Sequence, residues 1–465
     1  MNSLNSPKNI IPFAASALML VSCGIYNKYE RPEVNTQGLI RDVQSDSDTL
    51  AVADTTSFGN LPWRQVFTDP QLQSLIESAL THNTDYLNTA LNVKMVEAQL
   101  TMAKLAFLPS VAFSPQGTIS QWDGNKASKI YSLPVSASWS LDLFGNLLNV
   151  KRSTQMQLLG MKDYQLVVKT KLITNVANMY YTLLMLDRQL EILNSMSELT
   201  QETWRIMKLQ KDLGRANETS VQSAEASHYS VLAQVADMKR QIREVENSLS
   251  LVLGQQAQTI ARGKLVDQSL PTEFSTGVGI QLLANRPDVH YAEMSLASCF
   301  YNTQQARSNF YPQITISGTG AFTNNSGAGI VNPGKWLLSA VGSLVQPIFQ
   351  NGRIVAGLKV AKYQQEQAFN TWQQAVLAAG AEVSNALVKY NSSDEMSKLD
   401  AKRVDVLTKN VDMTRELFKS RSASYLEVIS AQSNLLNAQI SQVTDDFNKM
   451  QAVVSLYSAL GGGRE

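Results

Sequence analysis

The chain has 465 residues and a formal net charge of +1 at pH 7, so no strong electrostatic field directs it to nucleic acid or to an anionic surface. Charged residues make up 17% of the sequence, below the roughly one quarter typical of soluble globular proteins. The two cysteines, Cys23 and Cys299, and the three histidines form no CxxC or HxxxH pair. Two isolated cysteines cannot make a disulfide framework, and the missing ligand pairs argue against a zinc site. The composition therefore argues against an enzyme and predicts no resident cofactor.

The amino terminus has the features of an export signal. Lys8 precedes the apolar run 10–22, which is too short to span a bilayer because a transmembrane helix needs about 20 residues. Residues 1–22 are therefore predicted to be a signal peptide. The run ends in Leu-Val-Ser-Cys23, which resembles the lipobox of bacterial lipoproteins. That resemblance implies cleavage before Cys23 and a covalent lipid on it, so the polar residues 23–60 are predicted to form an extended, lipid-anchored tether.

The remaining sequence repeats one plan twice, and we predict a first repeat over 61–275 and a second over 276–465. Short motifs recur at a separation of 203 residues (Pro109 to Pro312) and of 207 residues (Gly254 to Gly461). Because the order of the motifs is the same in both halves, the whole plan is predicted to be duplicated. The recurring motifs are 105–111 with 308–314, 143–145 with 348–352, and 249–254 with 454–461.

Long stretches without proline predict long helices. No proline occurs between Pro134 and Pro271 or after Pro347, and proline costs about 3 kcal/mol inside a helix. Residues from about 146 to 213 would form a helix about 100 Å long at 1.5 Å per residue. Apolar residues within these stretches alternate three and four apart, which is typical of a left-handed coiled coil. An example is Leu172, Val176, Met179, Leu183, Leu186, Leu190 and Leu193.

Four segments instead alternate apolar and polar residues, which predicts strands with one apolar and one polar face. The clearest runs from Tyr131 to Asp142, although Pro115 and Pro134 remove ladder donors from the first pair. The four predicted strands are about 111–121, 131–142, 313–323 and 335–345.

Each of these segments is long enough to cross a bilayer as a tilted strand of about 9–11 residues. A sheet in lipid must close into a barrel because hydrocarbon cannot satisfy open-edge amides. Closed barrels start at about eight strands, so several copies must share one barrel. Two copies supply eight strands and three supply twelve, and this argument leaves the number open.

Two blocks resemble the TolC family of outer-membrane efflux proteins, and the resemblance extends from about residue 61 to the C-terminus. The first block is 69–76 with Ala79, Leu80 and Asn83; the second is 282–289, followed by Ala292-Glu293 and 306–312. The second block is most typical of the lipoprotein branch (NodT- or OprM-like) that works with resistance-nodulation-division pumps.

The resemblance implies a mainly α fold with a membrane β-barrel contribution. In it, a homotrimer forms a twelve-stranded outer-membrane barrel that continues into a long α-helical periplasmic barrel. The implied function is the exit duct of a tripartite efflux system, which passes small molecules and drugs to the exterior. A periplasmic adaptor, an inner-membrane pump and outer-membrane lipid are the implied partners, and nucleic acid is not among them.

The resemblance also implies a periplasmic gate where each pair of long helices turns. Glu427 matches a gate carboxylate of the family, whereas Ser220 and Ser430 stand where carboxylates are often found and Arg421 replaces the usual glycine. Three copies would bring three Glu427 side chains into one ring, which favours cation binding and raises carboxyl pKa values. The alternative is that Glu427 is a first-turn helix acid stabilised by the helix dipole.

Two rival functions remain at this point. A type I protein-secretion channel shares the same architecture, but the lipobox favours the drug-pump branch. A structural envelope coiled coil without a pore is the other alternative, and the serines on one face of 131–142 argue against it because a pore lining explains them.

Overall fold

The computed structural model describes residues 27–33, 39, 58–271, 286–323, 335–420 and 422–464. The predicted signal peptide, Cys23 and Arg421 lie outside the described residues. Eight α-helices occur in the described ranges: α1 (Trp63–Val66), α2 (Pro70–His82), α3 (Thr84–Leu105), α4 (Asn146–Asp212), α5 (Glu218–Val252), α6 (Pro287–Ser308), α7 (Arg353–Lys419) and α8 (Tyr425–Ala459). Five strands occur in the same ranges: β1 (Ser110–Phe113), β2 (Gln116–Ser120), β3 (Ser128–Leu141), β4 (Gln313–Thr323) and β5 (Lys335–Val345).

The helices of the two halves have matching lengths. Helices α4 and α7 each have 67 residues, α5 and α8 each have 35, and α3 and α6 each have 22. Their first residues are separated by 207 (353 − 146), 207 (425 − 218) and 203 (287 − 84) residues, which are the separations of the sequence motifs. The boundaries 61–275 and 276–465 stay a prediction.

The chain folds into two compact units, and each unit takes segments from both halves. Unit 1 takes 1–34, 92–162 and 290–374, and unit 2 takes 35–91, 163–289 and 375–465. All five strands belong to unit 1, whereas the α4–α5 and α7–α8 turns belong to unit 2. None of the helices in the described ranges combines the length and the apolar character needed to cross a bilayer.

The strands of unit 1 form one antiparallel sheet in the order β1-β3-β4-β5, with β2 also paired to β3. The prediction of one continuous strand over 111–121 is wrong in one respect. The structure has two strands there, β1 and β2, with a break between them. Pro115 lies in that break and has no N–H to donate. The last backbone bond before it runs from Ser114 N to Pro134 O at 3.2 Å. Strand β3 also begins three residues earlier than predicted, at Ser128.

The core of unit 2 follows the predicted apolar spacing of the long helices over most of their length. Val176, Leu183 and Leu193 of α4 are buried, as is Tyr457 of α8. In α5 the pattern changes after Ile242, because the next buried residue is Glu246 and not Val245. The Glu246 carboxylate accepts a hydrogen bond from Arg262 at 2.6 Å, and Arg262 also bonds Asp187 at 2.5 Å. This buried acid was not predicted because its close partner, Arg262, lies outside the helix, while Arg243 of α5 approaches it only to 4.0 Å.

Arg286, from the second block of family resemblance, ties three parts of unit 2 together. It is 5% exposed and donates to the Ala459 carbonyl at 2.9 Å, where α8 ends. It also donates to the carboxylates of Asp288 at 2.6 Å and Glu382 at 2.7 Å. The burial and the three acceptors give this motif arginine a structural role.

Candidate functional site

The sheet of unit 1 has one apolar face and one hydroxyl-bearing face. In β3 the odd-numbered residues from Tyr131 to Leu141 are apolar, and the even-numbered residues from Ser132 to Ser140 are serines with one proline. Successive residues of a strand point to opposite faces, so this alternation separates the two kinds of side chain. The structure therefore confirms that this segment is a strand with two different faces.

The register extends both faces across the neighbouring strands. Ser136 lies opposite Thr319, with their hydroxyl oxygens 3.2 Å apart, while Leu133 lies opposite Phe322. Between β4 and β5, Thr319 pairs with Ser339 in the same way. Between β3 and β4, hydroxyl groups thus meet hydroxyl groups and apolar groups meet apolar groups, which is the arrangement of a sheet between a polar and an apolar phase. Between β4 and β5 the separation is incomplete, since Ser317 lies opposite Val341.

The apolar face is exposed within the single chain. Ile119 is 73% exposed and Leu344 is 64% exposed, although a water-soluble sheet would bury such residues against a core. An exposed apolar surface of this kind marks a contact with lipid or with another protein.

Both edges of the sheet have a free side among the described strands. Strands β1 and β2 pair only with β3, and β5 pairs only with β4. Each edge strand therefore presents one row of backbone N–H and C=O groups without a ladder partner. The sheet of one chain is open.

The turns at the ends of the long helices are built alike. In the first, Gly214 has φ +71° and the Asn217 side chain caps α5 by accepting from Ser220 N at 2.9 Å. In the second, Ser424 caps α8. Ser220 and Glu427 are consequently the third residues of α5 and α8, and they occupy equivalent positions in the two hairpins.

Glu427 is exposed and closes a capping box. Its carboxylate accepts from Ser424 N at 2.5 Å and from Ser424 Oγ at 2.8 Å, and its own N–H donates to Ser424 Oγ at 3.4 Å. These hydrogen bonds hold the pKa of the Glu427 carboxyl below its usual value. In the single chain the contacts agree with the alternative of a first-turn helix acid. The ring of three carboxylates concerns several copies and stays a prediction.

Among the described residues, the hydrogen bonds of Glu427 are with Ser424 and not with another predicted gate residue. Ser220 is half-buried and its N–H bonds Asn217, whereas Ser430 is exposed one turn beyond Glu427. Arg421 lies outside the described residues. Within the described ranges, no group of three or more His, Cys, Asp or Glu side chains is placed to hold a metal ion.

The two turns differ in the residues that join their helices, which sequence reasoning missed. In the first, Lys211 pairs with Glu218 across the turn. The equivalent positions of the second turn, 207 residues later, are Phe418 and Tyr425. These aromatic side chains pack against a buried cluster that includes Met207 of the first hairpin. Aligning the two halves at the offset of 207 residues would have revealed this exchange of charge for aromatic packing.

The two-faced open sheet and the duplicated long hairpins have counterparts in known proteins. A profile of the family described as outer membrane efflux protein matches residues 75–255 and 279–462. Cation efflux system protein CusC of Escherichia coli K12 is 27% identical over 468 residues, covering 98% of this chain and all of CusC. The probable outer membrane lipoprotein SilC of Salmonella typhimurium is 25% identical over 453 residues, covering 97% of each chain. A crystal structure of CusC has a TM-score of 0.83 at 24% identity, covering 95% of this chain and all of the solved one.

The family match covers most of both halves, and the structural match covers nearly all of the chain. The mainly helical fold with a small membrane sheet is confirmed, as is the resemblance found in the sequence. The chain therefore belongs to the outer membrane efflux protein family and is an efflux channel of the outer membrane.

Proposed function

We propose that three copies of this chain assemble into one exit duct. In this assembly the strands share a twelve-stranded barrel in the outer membrane, and the long helices form a periplasmic barrel beneath it. The duct passes small molecules from a periplasmic adaptor and an inner-membrane resistance-nodulation-division pump to the exterior. The observation that carries the proposal is the open sheet with an apolar face, a hydroxyl-bearing face and two one-sided edges.

The edges call for strands from other copies. An amide left unpaired in hydrocarbon costs several kcal/mol, so the two rows of edge groups could not enter lipid unpaired. If the edge formed by β1 and β2 pairs with β5 of a neighbouring copy, the ladder continues and closes. The sheet has four rows, β1-β3-β4-β5, so two copies give eight strands and three give twelve. An eight-stranded barrel is filled by its own side chains, whereas twelve strands leave a lumen, which favours three copies.

The two faces of the sheet indicate which side is turned toward lipid and which side lines the lumen. The apolar face with Leu133 and Val135 suits the lipid, and the face with Ser136 and Ser138 suits a water-filled lumen. Hydroxyl groups give the lumen polarity without a strong field of either sign. The cargo is accordingly selected before it reaches the duct, at the pump and adaptor.

Family membership supports the partners, and the sequence supports the anchor. CusC is named for a cation efflux system, which is the kind of assembly proposed here, with small solutes as cargo. Cys23 carries a covalent lipid in this proposal, and the name of SilC as a probable outer membrane lipoprotein supports it. Two or more acyl chains would hold the N-terminus stably in the membrane.

Conductance across a planar bilayer tests the duct. The purified protein should form open channels, and native mass spectrometry should give the mass of three chains. In a Cys299→Ser background, a charged thiol reagent should reduce the conductance of Ser138→Cys, which faces the lumen. The matched variant Ala137→Cys places the thiol on the adjacent, lipid-facing side and should respond little. Equal responses at both positions, or a mass of two chains, would contradict the proposal.

The gate rests on Glu427 and needs a test that separates its charge from its capping role. Glu427→Gln keeps the hydrogen bonds of a capping box but removes the charge, whereas Glu427→Ala removes both. A gate carboxylate predicts that both variants lose cation selectivity to the same extent. If Glu427→Gln conducts like the parent and only Glu427→Ala differs, Glu427 is a helix cap and not a gate. Arg421→Ser tests the second gate residue, and Ser433→Ala serves as an exposed control on the helix that carries Glu427.

A further inference from the structure

The described segment 27–33, close behind the proposed lipid anchor, lies against helix α6 within unit 1. Arg31 Nε donates to Glu293 Oε1 at 2.8 Å, and a second guanidinium nitrogen of Arg31 bonds Glu293 Oε2. Two residues earlier, the Tyr29 ring packs edge-on against Phe300, with centroids 5.8 Å apart. Glu293 and Phe300 are seven residues apart, so they lie on one face of α6, two turns from each other. The segment therefore has two adjacent contacts with a single helix face.

The burial of Glu293 indicates that this ion pair contributes to the stability of the fold. The Glu293 side chain is 6% exposed, whereas that of Arg31 is 49% exposed. A buried carboxylate without a partner strongly destabilises a fold, and among the described residues Arg31 is the cation that pairs with Glu293. The exposed pair Arg64–Glu77, with side chains 58% and 54% exposed, has no such requirement. Helix α6 thus carries a buried carboxylate, Glu293, whose charge is neutralised by Arg31 of the N-terminal segment.

The position along the chain connects this pair to the membrane. Arg31 follows Cys23 by eight residues (31 − 23), which span at most about 28 Å when fully extended. From Glu293, α6 continues for 15 residues to Ser308, a rise of about 22 Å, and β4 begins at Gln313. The distance from the ion pair to the lipid at Cys23 is therefore limited to a length similar to the distance from the ion pair to the start of β4.

We propose that Arg31 and Glu293 form a clasp that docks segment 27–33 on α6 and ties the lipid anchor to the strand-bearing unit within a fixed length of chain. The role of the clasp at the membrane rests on the proposed lipidation of Cys23, but its existence as a contact does not. Without the clasp, the lipid would hold only a loose tether. With it, the lipid and the sheet are held within a common distance of α6.

Trypsin cleavage after Lys28 measures docking directly. Lys28 is the one trypsin site in the segment, because Arg31 precedes Pro32 and is not cut. A protease must draw several flanking residues into its active site, so a docked segment is cut slowly. Loss of a bidentate charged contact should raise the cleavage rate at least about tenfold in Arg31→Gln and by a smaller factor in Glu293→Gln. Glu30→Gln changes an exposed acid of the same segment and should leave the rate within twofold of the parent.

A double variant separates the clasp from a general loss of structure. Arg31→Gln leaves the buried Glu293 charge unpaired, so it should lower the midpoint of heat denaturation more than Glu293→Gln does. Arg31→Gln with Glu293→Gln removes that charge as well, and its midpoint should return to that of Glu293→Gln. Cleavage at Lys28 should nevertheless stay fast in the double variant. Equal cleavage rates in the parent and the variants would overturn the clasp, and so would additive losses of stability.

The same measurements on an unlipidated Cys23→Ser protein distinguish the clasp from the anchor. If the clasp exists, Lys28 is protected to the same degree with and without the lipid. The mass of the peptide that ends at Lys28 reports independently whether Cys23 carries a lipid. A lipid-free peptide with a protected Lys28 would remove the anchor and keep the clasp. A lipidated peptide with an unprotected Lys28 in the parent would overturn the clasp and keep the anchor.

Discussion

Two glycines at equivalent positions provide a matched test of how the helix ends are packed. Gly254 follows α5 with φ +68°, and Gly461 follows α8 with φ +75°. Both adopt the left-handed backbone conformation that commonly ends a helix. Only glycine adopts it without steric cost. Their surroundings differ, because a Cβ on Gly254 would lie 2.7 Å from the His82 carbonyl oxygen at the end of α2. A Cβ on Gly461 would meet its nearest atoms at 3.6 Å, which is ordinary van der Waals contact.

The two alanine variants should therefore differ in cost. Gly461→Ala should lower the free energy of unfolding by about 1–2 kcal/mol, which is the cost of placing an alanine in the left-handed conformation. Gly254→Ala loses the same amount and must also displace a backbone carbonyl, and overpacking of this kind adds about 1–3 kcal/mol. The side chain of Asn83, which donates to the Val252 carbonyl at 2.9 Å, holds α2 in place and limits that displacement. The expected difference between the two variants is about 1–3 kcal/mol, with Gly254→Ala the less stable.

Heat denaturation of the detergent-purified protein, followed by circular dichroism at 222 nm, measures this difference. The two variants should be compared at one protein and detergent concentration, because assembly makes the midpoint concentration-dependent. Equal losses in the two variants would refute the close approach of His82 to Gly254. An unchanged midpoint in Gly461→Ala would refute the cost assigned to the left-handed backbone.

Further predictions concern three buried polar groups of unit 2. Burial and the nearby Asp400 charge raise the pKa of the Asp445 carboxyl, so the folded protein loses stability as pH rises through that raised pKa. Asp445→Asn should accordingly raise the denaturation midpoint at pH 7, and this gain should disappear near pH 4. Arg262→Met should cost about 3–5 kcal/mol because the buried Glu246 charge then has the solvent-exposed Arg243, 4.0 Å away, in place of its close partner, whereas adding Glu246→Val should restore most of the loss in a urea titration. The Tyr425 hydroxyl is buried without a hydrogen-bond partner among the described residues, so Tyr425→Phe should gain up to about 1 kcal/mol in the same titration.

The regular elements were predictable because their signals are local and repeated. The gap between Pro134 and Pro271 predicts α4 as one helix, and the predicted end at about 213 differs by one residue from Asp212. Period-two alternation predicts β4 and β5 with the bounds that the structure has. These patterns come from backbone geometry, which repeats every 3.6 residues in a helix and every two in a strand.

The contacts between distant residues were not predictable in the same way. Arg31 and Glu293 are 262 residues apart, and nothing in either neighbourhood names the other as its partner. The buried Glu246 interrupts an apolar pattern because Arg262, which lies beyond α5, supplies its counter-charge. Periodicity identifies which face of a helix is buried, but it does not identify which polar residue on that face has a partner.

Comparison of the two halves separates what the fold requires from what each hairpin can vary. Gly254 recurs as Gly461 because only glycine ends these helices without strain, and this requirement is the same in both copies. The acidic pair Asp400 and Asp445 of the second hairpin, in which burial and the Asp400 charge raise the pKa of the Asp445 carboxyl, replaces Leu193 and Met238 at the offset of 207 residues. The helices keep equal lengths despite this exchange, because length depends on helix-forming residues and caps, and not on the chemistry of one contact. At this level the first hairpin therefore has apolar side chains whose packing is insensitive to pH, whereas the second hairpin loses stability as Asp445 ionises.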